Sequence, residues 1–136
     1  MKYLLFLLLF SLQNLCLSQK TLTPESLWTL GRESLEDLSS DGRSAVYTVS
    51  RYSTADNTGN SQIYFIDLRS NLSTVLTQET GHCQNVRFRP NSKRIGFILG
   101  GLMYEMDYDG QNRTAMSSTE MNGFAYSPKG DKILFI

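Results

Sequence analysis

The sequence predicts an all-β chain: a partial β-propeller of about two and a half four-stranded blades, preceded by a signal peptide and a short N-terminal helix. Two observations predict it. One pattern occurs three times, as Ser39-Ser40-Asp41-Gly42-Arg43-Ser44-Ala45-Val46-Tyr47, as Arg89-Pro90-Asn91-Ser92-Lys93-Arg94-Ile95-Gly96-Phe97 and as Ser127-Pro128-Lys129-Gly130-Asp131-Lys132-Ile133-Leu134-Phe135. Each copy is a tight turn of Pro, Asp/Asn and Gly character, a basic residue and then an apolar β run. A second element, Ile63-Tyr64-Phe65-Ile66-Asp67-Leu68, returns 40 residues on as Met103-Tyr104-Glu105-Met106-Asp107-Tyr108. A period near that length is the mark of propeller blades, each a four-stranded antiparallel sheet.

The first residues read as a leader. Met1-Lys2 supplies a short positive start, Tyr3 to Phe10 is unbroken apolar, and Cys16-Leu17-Ser18 sets small residues where a signal peptidase reads. Residues 1–18 are therefore expected to be a secretory signal cleaved between Ser18 and Gln19, with the mature chain secreted or periplasmic. The apolar run is well short of the roughly 20 residues that span a bilayer, so no membrane span is expected after cleavage. A lipoprotein reading, with Cys16 acylated, is disfavoured by Leu15, because a small residue belongs before a lipid-modified cysteine. Cleavage leaves Cys83 as the lone thiol, so no disulfide forms within the chain. That fits a bacterial envelope protein held by its core.

Residues 19–34 form a lead-in with a short helix. Thr23 is suited to the N-cap, Pro24 to the first helical position and Glu25 to the positive end of the helix dipole. Leu27 and Leu30 fall on one face, and Gly31 supplies a stop. Such a helix of about two turns needs a tertiary partner to persist.

From 35 to 136 the pattern is β. Short runs rich in branched and aromatic residues are separated by turn clusters. They group into one blade over 35–77 (strands near 35–38, 44–51, 61–68 and 73–77), a second over 86–117 (86–89, 94–99, 102–107 and 113–117), and a third, 123–136, cut off after its second strand. In the third turn Pro128 presets φ and Gly130 is free to take the left-handed conformation; in the second, Ser92 stands where glycine is expected and predicts mild strain. Up-and-down order puts the 40–43 and 69–72 turns on one face of the disc, and the 52–60 and 78–85 loops on the other. Residues 52–60 are expected to be the longest polar loop, reaching toward a partner domain.

Composition excludes more than it assigns. Thirteen basic residues against 13 acidic give no net charge, and loss of Lys2 with the leader makes it −1, so nothing steers the chain to nucleic acid or an anionic membrane. Arg87, Arg89, Lys93 and Arg94 cluster, yet Arg87 and Arg89 alternate with Val86 and Phe88 as the polar side of a half-buried strand does. A serine nucleophile elbow needs G-x-S-x-G; Gly42-Arg43-Ser44 and Gly59-Asn60-Ser61 begin one, but Val46 and Ile63 occupy the last position. His82, the one histidine, lies in a loop without a motif. His82-Cys83 lacks a second ligand pair, and Asp107-Tyr108-Asp109-Gly110 departs from a calcium loop because its glycine comes too early and no distal glutamate follows. Asn71-Leu72-Ser73 and Asn112-Arg113-Thr114 spell glycosylation sequons, but asparagine there suits a turn. The sequence nominates no catalytic, cofactor-binding or metal-ligating residue, and no cofactor.

Leu22-Thr23-Pro24-Glu25 with Leu30-Gly31-Arg32, Ser40 to Tyr47, and Asn122-Gly123-Phe124-Ala125-Tyr126-Ser127-Pro128 resemble the mature N-terminus of secreted bacterial serine peptidases of the prolyl-oligopeptidase family. The likeness is to the dipeptidyl-peptidase 5 and acylaminoacyl-peptidase-like enzymes of the Bacteroidetes, and it covers Thr21 to Ile136. TolB-like periplasmic propellers share the blade repeat; the helical lead-in favours the peptidases. The resemblance implies a substrate-gating propeller paired with a C-terminal α/β-hydrolase domain that carries a Ser-Asp-His triad and cleaves short peptides. No triad position exists in these residues, so the resemblance carries over no catalytic residue. An apolar strand ending at Ile136 with an open edge leads to the expectation of a fragment of a serine exopeptidase, inactive alone. The alternative is a TolB-like protein–protein interaction module.

Overall fold

The structure, a computed structural model, describes residues 22–136. The expected signal peptide, Cys16 and the Ser18–Gln19 cleavage point lie outside the described residues. Among the described residues one helix, α1 (Pro24–Thr29), precedes ten strands: β1 (Arg32–Leu38), β2 (Ser44–Ser53), β3 (Thr58–Asp67), β4 (Leu72–Val75), β5 (Cys83–Phe88), β6 (Arg94–Leu99), β7 (Leu102–Asp107), β8 (Thr114–Ala115), β9 (Phe124–Tyr126) and β10 (Ile133–Phe135). They form two antiparallel four-stranded sheets in sequential order, β1-β2-β3-β4 and β5-β6-β7-β8, and a two-stranded sheet of β9 and β10. This is the partial propeller the repeat predicts, and the sheets are called blades 1, 2 and 3.

The helix starts as its sequence requires. Thr23 and Ser26 make a reciprocal capping box, each side chain satisfying the other's backbone N–H. It stops differently. Leu30 is extended (φ −66, ψ 136), and Gly31 takes no left-handed conformation before the chain enters β1 at Arg32, earlier than the expected 35. Glycine is needed there for room, because a Cβ at position 31 would sit 2.9 Å from Val49 Cγ1. The helix buries no side chain within the described residues. It leans on the sheet through Trp28, 5.7 Å from the Tyr52 ring and capped by the Arg32 guanidinium at 5.1 Å.

Residues 52–60 are not a loop. Tyr52 pairs with Gly59 and Ser53 with Thr58, so β2 and β3 run on as a hairpin and leave only 54–57 as the connection. Asn57 closes it at φ 51. Tyr52, the one aromatic residue of the extension, packs against Trp28, and the His82 ring lies over Gly59. The longer connections are those between blades, 76–82 and 116–123.

The three repeated turns are closed by equivalent backbone bonds, Ser39 N–H to Ser44 O at 2.8 Å, Arg89 N–H to Arg94 O at 2.9 Å and Ser127 N–H to Lys132 O at 2.9 Å. Gly42 (φ 67) and Gly130 (φ 71) take the left-handed position. In the second turn Ser92 escapes the expected strain, because the left-handed residue moves one place back to Asn91 (φ 56). Proline followed by a left-handed Asn is type II turn chemistry, which Asn tolerates well.

The core lies between blades. Val46 and Ile63 of blade 1 pack on Val86, Phe88, Ile95, Phe97 and Met106 of blade 2. Ile98 and Met103, on the other side of blade 2, pack on Phe124 of blade 3. Alternation along β6 makes this possible: Ile95 and Phe97 point to one neighbour, Gly96 and Ile98 to the other. Gly96 is fully enclosed, and a Cβ there would collide with the Tyr126 hydroxyl and lie 2.9 Å from Phe124 Cζ.

Gly96→Val is accordingly expected to destabilise the protein by about 1–3 kcal/mol through overpacking, with the loss read as a lower urea midpoint. Asp41 gives a pH test. Its carboxylate is held below its ordinary 3.8, first by the Ser39 hydroxyl and then by the Arg43 backbone N–H. A depressed folded value adds stability above the unfolded value, and this is lost as pH falls through the folded one. The Asp41 side-chain NMR titration should therefore have its midpoint below 3.8; a midpoint at or above that value contradicts the turn geometry.

Candidate functional site

The residues with reactive potential are mostly committed to the scaffold. Ser44 opens β2 and Ser61 lies within β3, where its hydroxyl donates to Cys83 O at 3.1 Å, so neither sits on a strand-to-helix turn. His82 is exposed, and its ring lies over the Gly59 backbone. Cys83 is a buried free thiol whose pKa is pushed up by burial above all, which disfavours the reactive thiolate. Asp107 closes a turn with Gly110 (φ 82), and its carboxylate accepts from Arg94 at 3.1 Å and from Asn112 at 2.7 Å. The two sequon asparagines, Asn71 (φ 57) and Asn112 (φ 52), are both left-handed turn residues. Among the described residues no cluster of three or more His, Cys, Asp or Glu converges as metal ligands would.

Val86 and Phe88 are buried on either side of the half-buried Arg87, as the alternation indicates, and the arginine cluster has a further role. Glu105 on β7 is 2% exposed, a carboxylate inside the blade interface. Arg89 Nη1 and Arg94 Nε each donate to its Oε2 at 3.1 Å, and the Tyr126 hydroxyl from blade 3 donates to Oε1 at 2.7 Å. Burial, and then the bond to Glu105, push the Tyr126 phenol far above its ordinary value, so it remains a donor throughout the accessible range. Arg89 also donates from Nε to Gly130 O at 2.9 Å. Arg87 reaches Glu36 O, and the Phe88 N–H donates to Asp37 Oδ2 at 2.9 Å. The cluster wires blade 2 to blades 1 and 3.

Sequence reasoning missed this network. The one signal was Glu105 itself, a charged residue at a position where the matching element has Phe65.

Two grooves open at opposite ends of the blades. One, of about 540 Å³, lies between the first two repeated turns, with Asp37 and Asp41 on one wall, Arg89 and Lys93 on the other, and Tyr108 between them. Burial, followed by the charges of Asp41 and Asp37, raises the Tyr108 phenol. The other, of about 640 Å³, is lined by Thr29, Arg51, Tyr52, Asn60 and Gly81. Neither brings a nucleophile to a base.

No family model matches the chain. It is 28% identical over 120 residues to dipeptidyl-peptidase 5 of Porphyromonas endodontalis, an alignment that covers 84% of this chain and 17% of that enzyme. The fold is similar to that of a solved oligogalacturonate lyase in complex with manganese, with a TM-score of 0.63 and 16% identity over 77% of this chain and 34% of the lyase. The chain thus spans about a sixth of the peptidase and a third of the lyase. The first likeness is a distant one in sequence; the second is one of fold alone.

Replacing Glu105 with Gln should cost about 3 kcal/mol, the lower end for removing one partner of a buried pair, because both arginines keep some access to water. Tyr126→Phe removes one charge-assisted bond and should cost about 1.5–3 kcal/mol. Denaturant unfolding of the single variants and the double variant checks both. Strict additivity would show that the two side chains do not share one network.

Proposed function

We propose that the chain is the propeller segment of a secreted serine exopeptidase of the prolyl-oligopeptidase family, of dipeptidyl- or acylaminoacyl-peptidase type. The observation that carries the reading is the 28% identity to dipeptidyl-peptidase 5 along 84% of the chain, joined to a blade architecture. In this reading the blades are a substrate-gating scaffold. They cover the active site of a C-terminal α/β-hydrolase domain, which supplies the triad, and they admit short peptides by size. The reactive side chains of the described residues fit such a part, since they are engaged in turns and blade contacts rather than in a nucleophile–base pair. Secretion to the periplasm or beyond, with cleavage near Ser18, belongs to the same proposal.

Two measurements test it. The purified chain should not hydrolyse chromogenic dipeptidyl substrates, and inhibitor-sensitive turnover would overturn the reading. The reading frame downstream of the Ile136 codon should encode a G-W-S-x-G-G-like elbow several hundred residues on, followed by Asp and then His. A frame that closes a propeller without that elbow points instead to a TolB-like interaction module.

A further inference from the structure

The three repeated turns do not meet one another in the same way. Between blades 2 and 3 they close. Arg89 Nε donates to Gly130 O at 2.9 Å, and the Asn91 side-chain amide to Lys129 O at 3.4 Å. Gly130 lies so tightly against the second turn that a Cβ there would sit 2.3 Å from Pro90 O. Between blades 1 and 2 the matching turns stand apart. Among the described residues no hydrogen bond joins 39–44 to 89–94, and the groove of about 540 Å³ opens where that contact would be. The repeat supplies the reason. Ser92 holds the place of Gly130, and Ser40 that of Pro90. A side chain at this position excludes the approach that Gly130 makes, so the first seam stays open where the second is shut.

The two walls of this groove carry opposite charges that are not spent on each other. Asp37 and Asp41 stand on the blade 1 side. The Asp37 carboxylate accepts only backbone N–H groups, from Leu38 and Phe88, each at 2.9 Å. Asp41 has one ion pair, a loose one at 3.9 Å to Arg43 of its own turn, with both side chains more than half exposed. On the blade 2 side the charge of Arg89 is met by Glu105, whereas Lys93 is exposed and makes no ion pair among the described residues. Between the walls lie the Tyr108 and Phe88 rings, 5.1 Å apart, with the Tyr108 hydroxyl turned to Ser92 O at 3.3 Å. The charges of Asp41 and Asp37, after burial, raise the Tyr108 phenol, so both carboxylates act on the same aromatic floor.

We infer that the groove between the first two turns binds a small zwitterion, its ammonium end held by Asp37 and Asp41 and its carboxylate by Lys93. That is the chemistry of a free amino acid or of a short peptide with unblocked ends. The charge pattern selects both ends at once: an anion meets the two aspartates, and a cation alone leaves Lys93 without a partner. The aromatic floor adds to the ammonium side, because ring faces attract cations. The volume falls within the roughly 300–1,000 Å³ of small-molecule clefts. Every residue involved belongs to blades 1 and 2, and the inference stands independently of the peptidase reading.

Amide NMR titrations of the full chain test it with four probes: free alanine, alanyl-alanine, N-acetyl-alanyl-alanine and alanyl-alanine amide. At least one unblocked probe should give saturable shifts confined to residues 37–41, 88–93 and 108, and the tighter of the two tells whether an amino acid or a peptide is preferred. Blocking either end of the dipeptide should weaken binding about fivefold, the upper value for an exposed ion pair. Lys93→Ala alters an exposed side chain that makes no hydrogen bond, so the fold is retained. In that variant alanyl-alanine and its amide should bind alike. Asp41→Asn should make alanyl-alanine and its N-acetyl form bind alike, and Asp37→Asn replaces it where the dispersion of the amide spectrum is lost. The inference is overturned if neither unblocked probe saturates, or if the shifts map to the Arg51–Tyr52 groove instead. Blocked probes that bind as well as the free dipeptide overturn it too, as does a Lys93→Ala chain that still discriminates against the amide.

Discussion

A single buried carboxylate constrains how the blades of this protein fit together. Glu105 projects into the seam between blades 2 and 3, where an unpaired charge would carry a desolvation penalty of several kcal/mol. Three donors arrive to meet it: Arg94 from the neighbouring strand, Arg89 from the turn after β5, and Tyr126 from blade 3. None is free to move without exposing the others. Gly96 must lack a side chain so that Tyr126 can pass, and Arg89 must lie close enough to reach both Glu105 and Gly130 O. A purely apolar seam would tolerate sliding. Directed bonds at this point set the register of blade 3 on blade 2.

The seam between blades 1 and 2 is solved in another way. It is aliphatic and aromatic, with Phe65, Phe88 and Tyr108 in mutual contact, and its polar links lie at the margin, where Asp37 accepts the Phe88 N–H and Arg87 reaches Glu36 O. One repeat thus supports two kinds of interface. What stays constant is the pleat, which gives each blade a face for either neighbour; what varies is whether the central position on β3 or β7 is Phe65 or Glu105.

The same economy accounts for how the polar and reactive side chains of the described residues are used. Serines, aspartates and asparagines cap the helix and close the turns, the arginines join blades, and the cysteine is enclosed. Propellers place function on the ends of the disc, in loops and in partner domains, and leave the blades as a frame. The similarity to one segment of a long dipeptidyl peptidase accords with that division of labour.

Periodicity by itself determined the architecture. The turn copies, the 40-residue offset and the alternation of apolar residues specify sequential antiparallel strands in blades, because strand pleat and turn stereochemistry are local properties that residue type controls. The turn roles of Asn71 and Asn112 were legible for the same reason, and both take the left-handed conformation. Tertiary structure decided the rest. Residues 52–53 and 58–60 became strand because the cross-strand pairs Tyr52–Gly59 and Ser53–Thr58 overrode their polar composition, leaving 54–57 as the turn. Gly31 proved to be a packing glycine because Val49 stands against it, and Asn91 took the left-handed place because its own turn had no glycine. The arginine cluster read as the polar side of a half-buried strand, as the burial of Val86 and Phe88 on either side of Arg87 bears out, but its role showed only where Glu105 came within reach from β7 and Tyr126 from the next blade. No pattern along the chain reports which charged residue a fold will bury. That depends on which donors the fold brings to it, and those donors lie 11, 16 and 21 positions away in sequence.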